Sequence, residues 1–192
     1  MIKRILVAID HSDTNQAVFD SALSLAKATS ANLMLLNVVS EQETEYPVLP
    51  TSAYYPYPML DDRDYKMYQE KLTEYKQWGL CFLQDLTEKA LSIGIEAQYT
   101  QLTGNPGRMI CELAHNWEAD LIIIGSRGLK GIKEMVLGSV SNYVSHHAPC
   151  SVLILRTVMD EESNSDSVTS EETVTNNNSE EPFVPNITTK GK

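Results

Sequence analysis

The run ILVAI (Ile5 to Ile9) is continuously apolar and rich in β-branched residues, the texture of a strand buried on both faces. Such a strand needs a covering layer above it and another below, and that need limits the fold more than any other feature of the chain. The texture returns in LMLLNVV (Leu33 to Val39), in LIII (Leu121 to Ile124, closing on Gly125) and in SVLIL (Ser151 to Leu155). Residues 95 to 102 carry an alternating version.

Helical periodicity fills the intervals. From about Thr14 to Thr29, Val18, Ala22, Leu25 and Ala26 mark one face. From about Asp64 to Ile93, Tyr68, Leu72, Tyr75, Gly79, Phe82, Leu86, Ala90 and Ile93 recur at steps of three and four, and Gly94 stops the helix. Asn105-Pro106 reads as an N-cap followed by the first helical residue, with the helix running to about Trp117. Ser139 to His146 forms a short last helix before Ala148-Pro149. Strand and helix alternating in this way predict an α/β fold: a five-stranded, mainly parallel, doubly wound sheet with helices on both faces.

Two segments stand apart. Residues 40 to 64 are acidic and rich in Tyr and Pro without a sustained period, and read as a long loop. Residues 157 to 192 lack a buried-face pattern. They hold eight acidic residues against two lysines, −6 of the net −11, and read as a disordered acidic tail on a domain of residues 1 to 156. The net charge of −11 argues against a nucleic-acid or anionic-membrane binder, which needs a basic face. Three widely spaced cysteines, Cys81, Cys111 and Cys150, fit neither a disulfide framework nor a C-x-x-C clip. With no secretory segment and no long apolar span visible, the chain reads as cytoplasmic.

The stretch GSRGLKGIKEMVLGSVS (Gly125 to Ser141) concentrates four of the nine glycines. It is not a Walker A loop, since neither Lys130 nor Lys133 follows a glycine, and it contains no G-x-G. In an open parallel sheet, ligands bind outside the carboxyl ends of the strands, where Asp10, Val38 to Ser40 and Gly125 to Gly128 all fall. Gly138-Ser139 opens the last helix, whose N–H groups and dipole attract phosphate, with the Ser139 and Ser141 hydroxyls as further donors. A carboxylate at Asp10 suits a ribose hydroxyl pair or, through water, a metal on the phosphates. The pattern describes a ribose end and a phosphate end of one nucleotide site.

With ILVAIDHS, ADLIIIGSRG and GSVSNYVSHHAPCSVLILR, residues 1 to 156 resemble the universal stress protein family. Gly125, Gly128, Gly138 and Ser139 stand at the G-x2-G-x9-G-[ST] spacing of its ATP-binding subclass. The resemblance implies a Rossmann-like domain binding ATP or another adenine nucleotide, with Mg²⁺ or Mn²⁺ held through the phosphates. It implies that Asp10 contacts ribose, that the Val38 backbone recognises adenine, and that Ala8 and Ile124 line the base. It further implies Gly125 and Gly128 beside ribose and phosphate, and Gly138, Ser139, Val140 and Ser141 around the phosphates. A homodimer through the last strand, Ser151 to Leu155, and an unidentified regulatory partner are also implied. His11 departs from the family, many of whose members have Gly there.

Blander roles compete at several positions. Lys130, Lys133 and Arg127 read as solvated surface cations, Gly131 as a loop residue, and each cysteine as a small buried hydrophobe. His146 and His147 point different ways on a helix and have no third ligand nearby in sequence, so they read as a turn and not a metal site. The tyrosines at 46, 54, 55 and 57 suit either a lid or a plain loop. No general base or water-positioning group is tied to the phosphate end, which limits catalysis to a slow ATPase. The functional expectation is an ATP-binding regulatory stress-response protein. The competing readings are a nucleotide-free dimeric scaffold and a sensor of AMP or a cyclic adenine nucleotide.

Overall fold

The computed structural model describes residues 1–10, 12, 15–41, 46–48, 62–126 and 137–156. Strands and helices alternate as β1 (Arg4–Ala8), α1 (Asn15–Thr29), β2 (Asn32–Val39), α2 (Asp62–Ser92) and β3 (Ala97–Thr103), then α3 (Pro106–Asn116), β4 (Leu121–Gly125), α4 (Ser139–His147) and β5 (Ser151–Leu155). The strands form one parallel sheet in the order β3-β2-β1-β4-β5. The chain steps outward from β1 to β3, crosses back, and continues through β4 to β5. Strand order therefore reverses between β1 and β4.

Right-handed crossovers in that order require α1 and α2 on one face and α3 and α4 on the other. The core is divided accordingly. Ile5, Val7, Leu33, Leu35, Leu121 and Ile123 meet Val18, Phe19 and Ala22 of α1 and Leu83, Leu86 and Ala90 of α2. Their even-numbered neighbours Leu6, Leu36, Val38, Ile122 and Ile124 meet Ile110 and Ala114 of α3 and Val144 of α4. This is the period-two alternation of a strand in which both sides are apolar.

The first three helices end on one device. After α2, Gly94 takes φ +80° and donates to the Leu91 carbonyl (3.0 Å), while Ile95 donates to the Ala90 carbonyl (3.1 Å). That is a Schellman closure, which satisfies helix-end carbonyls and turns the next residue inward. Ser30 (φ 53°) repeats it after α1, where Ala31 donates to Ala26 (3.1 Å), and Glu118 (φ 53°) after α3, where Ala119 donates to Ala114 (2.8 Å). Ala31, Ile95 and Ala119 are all buried, each just before a strand.

Several expectations shift. Helix α2 starts at Asp62, two residues ahead of the predicted start, and its fully buried side chains are Leu83, Leu86 and Ala90. Ile93 is exposed, because the Schellman turn sends Ile95 inward in its place, and β3 then begins at Ala97. Phe82 is half-buried and stacks on Trp78, with ring centroids 6.2 Å apart. Phe19, absent from the expected inner face of α1, is among the most buried side chains. Cys81 is exposed on α2, against the expectation of a buried cysteine. Cys111 and Cys150 are half-buried against the second core cluster, and loss of hydration pushes both thiols up.

The expected tail (157–192), most of the 40–64 segment and His11 lie outside the described residues. Among the described residues no helix is long and apolar enough to cross a membrane.

Candidate functional site

The crevice outside the carboxyl ends of β1 and β4 is bordered by three chain segments, and hydrogen bonds fix each of them. At the end of β1 the Asp10 Oδ1 accepts from the Ser12 N–H (3.1 Å) and the Ser12 hydroxyl (2.5 Å), and the Asn15 amide donates to the Asp10 carbonyl. Asp10 is therefore anchored as the hinge between β1 and α1 through one carboxylate oxygen. The turn thus uses Oδ1 and the carbonyl of Asp10, and a ligand contact through the other carboxylate oxygen is compatible with it.

At the end of β4, Ser126 ties the strand to the start of α4. Its N–H donates to the Leu155 carbonyl (2.7 Å), and its own carbonyl accepts from the Gly138 N–H (2.8 Å) and lies 3.0 Å from the Ser141 hydroxyl. The chain thus leaves at Ser126 and is back beside it at Gly138. Sequence reasoning passed over Ser126; its one signal was a small polar residue directly behind a buried strand.

Gly138 is the N-cap of α4, with φ −60° and ψ 157° and no side chain to cap the helix. The Asn142 N–H closes the first turn on the Gly138 carbonyl (2.9 Å). This leaves the N–H groups of Ser139, Val140 and Ser141 without intrahelical acceptors, the usual state of a helix start. They carry the positive end of the helix dipole and suit an anion. The Ser141 hydroxyl, expected to face a ligand, is instead turned to the carbonyls of Ser126 and Gly138, at 3.0 Å from each. What Ser141 contributes to the helix mouth is its N–H.

The third border is β2. Ile9 donates to the Leu36 carbonyl (2.8 Å), so the backbone groups of Leu36 point toward β1, and those of Val38 do the same by the alternation of a parallel strand. Val39 points the other way, accepting from Gly104 of the β3 side (3.0 Å). The β1–β2 ladder ends at the pair Ala8↔Leu36, followed by the Ile9 bond. Among the described residues no backbone bond joins Val38 to Ile9, and by the alternation of the strand the Val38 N–H and C=O are directed to the β1 side. Ala8 and Ile124 are register partners on neighbouring strands. Together with Val38 they lie on the sheet face covered by α3 and α4.

Ala8, Asp10, Val38, Ile124, Gly125, Gly138, Ser139, Val140 and Ser141 are thus grouped around the carboxyl ends of β1, β2 and β4 and the start of α4. Gly128 lies outside the described residues, as do Arg127, Lys130, Gly131 and Lys133. At the far end of α4 the His147 ring stacks on Tyr143 (centroids 4.1 Å apart), with Nδ1 2.8 Å from the Tyr143 carbonyl. Tyr46 packs edge-on against Tyr75 of α2 (6.0 Å) with its hydroxyl 3.5 Å from that of Tyr68, and the shared hydrogen bond pushes its phenol up to about 12. Tyr54, Tyr55 and Tyr57 lie outside the described residues.

The model of the universal stress protein family matches residues 1–156. Universal stress protein Sll1388 of Synechocystis sp. is 36% identical over 156 residues, covering 80% of this chain and 97% of that protein. Universal stress protein YxiE of Bacillus subtilis is 38% identical over 156 residues, covering 81% of this chain and all of its own length. A universal stress protein family structure from Arabidopsis thaliana, with AMP bound, shares the fold at 19% identity and a TM-score of 0.56, covering 83% of this chain and 94% of that one.

Proposed function

The chain belongs to the universal stress protein family, and on that premise we propose that it binds ATP across the β1/β4 crevice as a regulatory protein of the stress response. Nucleotide occupancy tunes its conformation or its binding of a partner. One observation carries this reading. The Val38 N–H and C=O, which no backbone bond ties to Ile9 among the described residues, the Asp10 carboxylate and the open mouth of α4 lie at the carboxyl ends of neighbouring strands and suit base, ribose and phosphate in turn.

In this reading the Val38 donor and acceptor pair with the adenine edge, between Ala8 and Ile124. Asp10 accepts from the ribose hydroxyls through the oxygen not held by Ser12. Gly125 and Gly128 border ribose and phosphate, and the N–H groups of Ser139, Val140 and Ser141 hold phosphate oxygens around Gly138. Bound Mg²⁺ or Mn²⁺ would neutralise phosphate charge, held by the phosphates themselves. AMP bound in the Arabidopsis thaliana fold neighbour supports adenine nucleotides as the ligand class, and makes AMP the nearest alternative.

A homodimer through β5 belongs to the same proposal, because β5 borders the sheet and leaves Leu153 38% exposed. A cytoplasmic setting is proposed with it, since the three cysteines are free thiols.

Calorimetric titration of Asp10→Ala with ATP and AMP tests the site. Loss of hydrogen bonds from a charged acceptor predicts affinity about tenfold or more below the parent protein. Equal ATP affinity in the two proteins sinks the assignment.

A further inference from the structure

A polar residue interrupts the buried run of β2. Asn37 is 2% exposed amid Leu35, Leu36, Val38 and Val39, where a buried amide without partners would be destabilising. Its partners are specific. Asn37 Nδ2 donates to the Ile9 carbonyl (3.1 Å), while Asn37 Oδ1 accepts from Gln101 Nε2 (3.1 Å). Gln101 Nε2 also donates to the Lys76 carbonyl of α2 (3.2 Å). The orientation of both amides follows, because the Ile9 and Lys76 carbonyls can only accept.

The Ile9 carbonyl matters because of what lies next to it. The parallel register that pairs Ala8 with Leu36 puts the Val38 N–H next in line for that carbonyl. With the Asn37 amide on Ile9 instead, β1 peels away from β2 one step early. We infer that Asn37 is the positioning residue that keeps the Val38 N–H unpaired, and so sets the base specificity of the crevice, with Gln101 locking it against α2. The inference rests on Val38 recognising the base. Adenine offers an acceptor beside a donor, complementary to an N–H beside a C=O, whereas hypoxanthine offers the reverse.

The test combines Asn37→Leu with two readouts, on the full chain. Titration with ATP and with inosine triphosphate should show ATP affinity falling about tenfold and inosine triphosphate changing less than about twofold. A merely structural role would weaken both alike and keep their ratio, which would overturn the proposal. Amide hydrogen exchange gives the second readout. In the parent protein Val38 should exchange faster than Leu36, inside the ladder, and in Asn37→Leu it should slow toward the Leu36 rate. Unchanged Val38 exchange also overturns the proposal.

If the parent protein binds neither nucleotide, the reading of the site fails while the exchange comparison still decides the role of Asn37. Should Asn37→Leu not fold, Gln101→Leu, at a half-buried position, takes its place. It should reduce the ATP preference by about two- to threefold through a less ordered Asn37, and an unaltered preference would count against the lock.

Discussion

At Gly138 the backbone angles, φ −60° and ψ 157°, are ordinary extended values that any residue adopts. Conformation therefore gives no reason for glycine there, and on the proposed reading the reason is close approach of a ligand to the helix start. This separates two quantities that usually move together. Gly138→Ala should leave the melting temperature within about 2 °C of the parent. It should also weaken ATP binding about tenfold, since a methyl group at the helix mouth displaces phosphate from the N–H groups. A large drop in melting temperature with unchanged affinity would make Gly138 a structural glycine. Asp10, Gly125 and Gly138 were legible in the sequence because each ends or begins an element at a recognisable signal. Asn37 and Ser126 were not, because their roles lie in partners 28 and 15 residues away, Ile9 and Ser141. Such pairings exist only once the sheet is assembled.

Among the elements, α3 and α4 pack closely against each other at Gly107 and Tyr143. A Cβ placed on Gly107 would lie 2.7 Å from Tyr143 Cδ1 and 2.9 Å from its Cγ, with the ring stacked on His147 and unable to swing away without losing that contact. Overpacking of this kind costs about 1–3 kcal/mol. Gly107→Ala should accordingly lower the melting temperature by several degrees, at about 2–4 °C per kcal/mol for a domain of this size. A melting temperature equal to the parent's would mean that the helices slide apart freely. The Asn105 cap and Pro106 start of α3 were readable in advance, and Asn105 does accept from the Arg108 N–H (3.1 Å). The left-handed turns at Ser30 and Glu118 were not, because neither residue advertises a positive φ as Gly94 does. The inward turn of Ile95 instead of Ile93 escaped notice for a related reason: helical period continues through a residue that the Schellman closure has already turned outward.

For the whole molecule, alternation of buried runs with helical faces was enough to predict the doubly wound sheet, since right-handed crossovers leave few ways to cover strands that are apolar on both sides. The acidic segment from 157 to 192 took no part in that reasoning, and its proposed independence can be tested. A chain ending at Arg156 should melt within about 2 °C of the full protein, and a fall of many degrees would show that the segment packs on the core. The proposed site gathers a donor–acceptor pair, a carboxylate and a helix mouth at one strand-order switch, and that convergence is the central claim. Denaturing the purified protein and identifying the released small molecule by mass spectrometry tests it most directly. The account predicts ATP or another adenine nucleotide at close to one per chain. An empty protein that also takes up no added ATP with Mg²⁺ would contradict it, and would return the fold to the reading of a nucleotide-free scaffold.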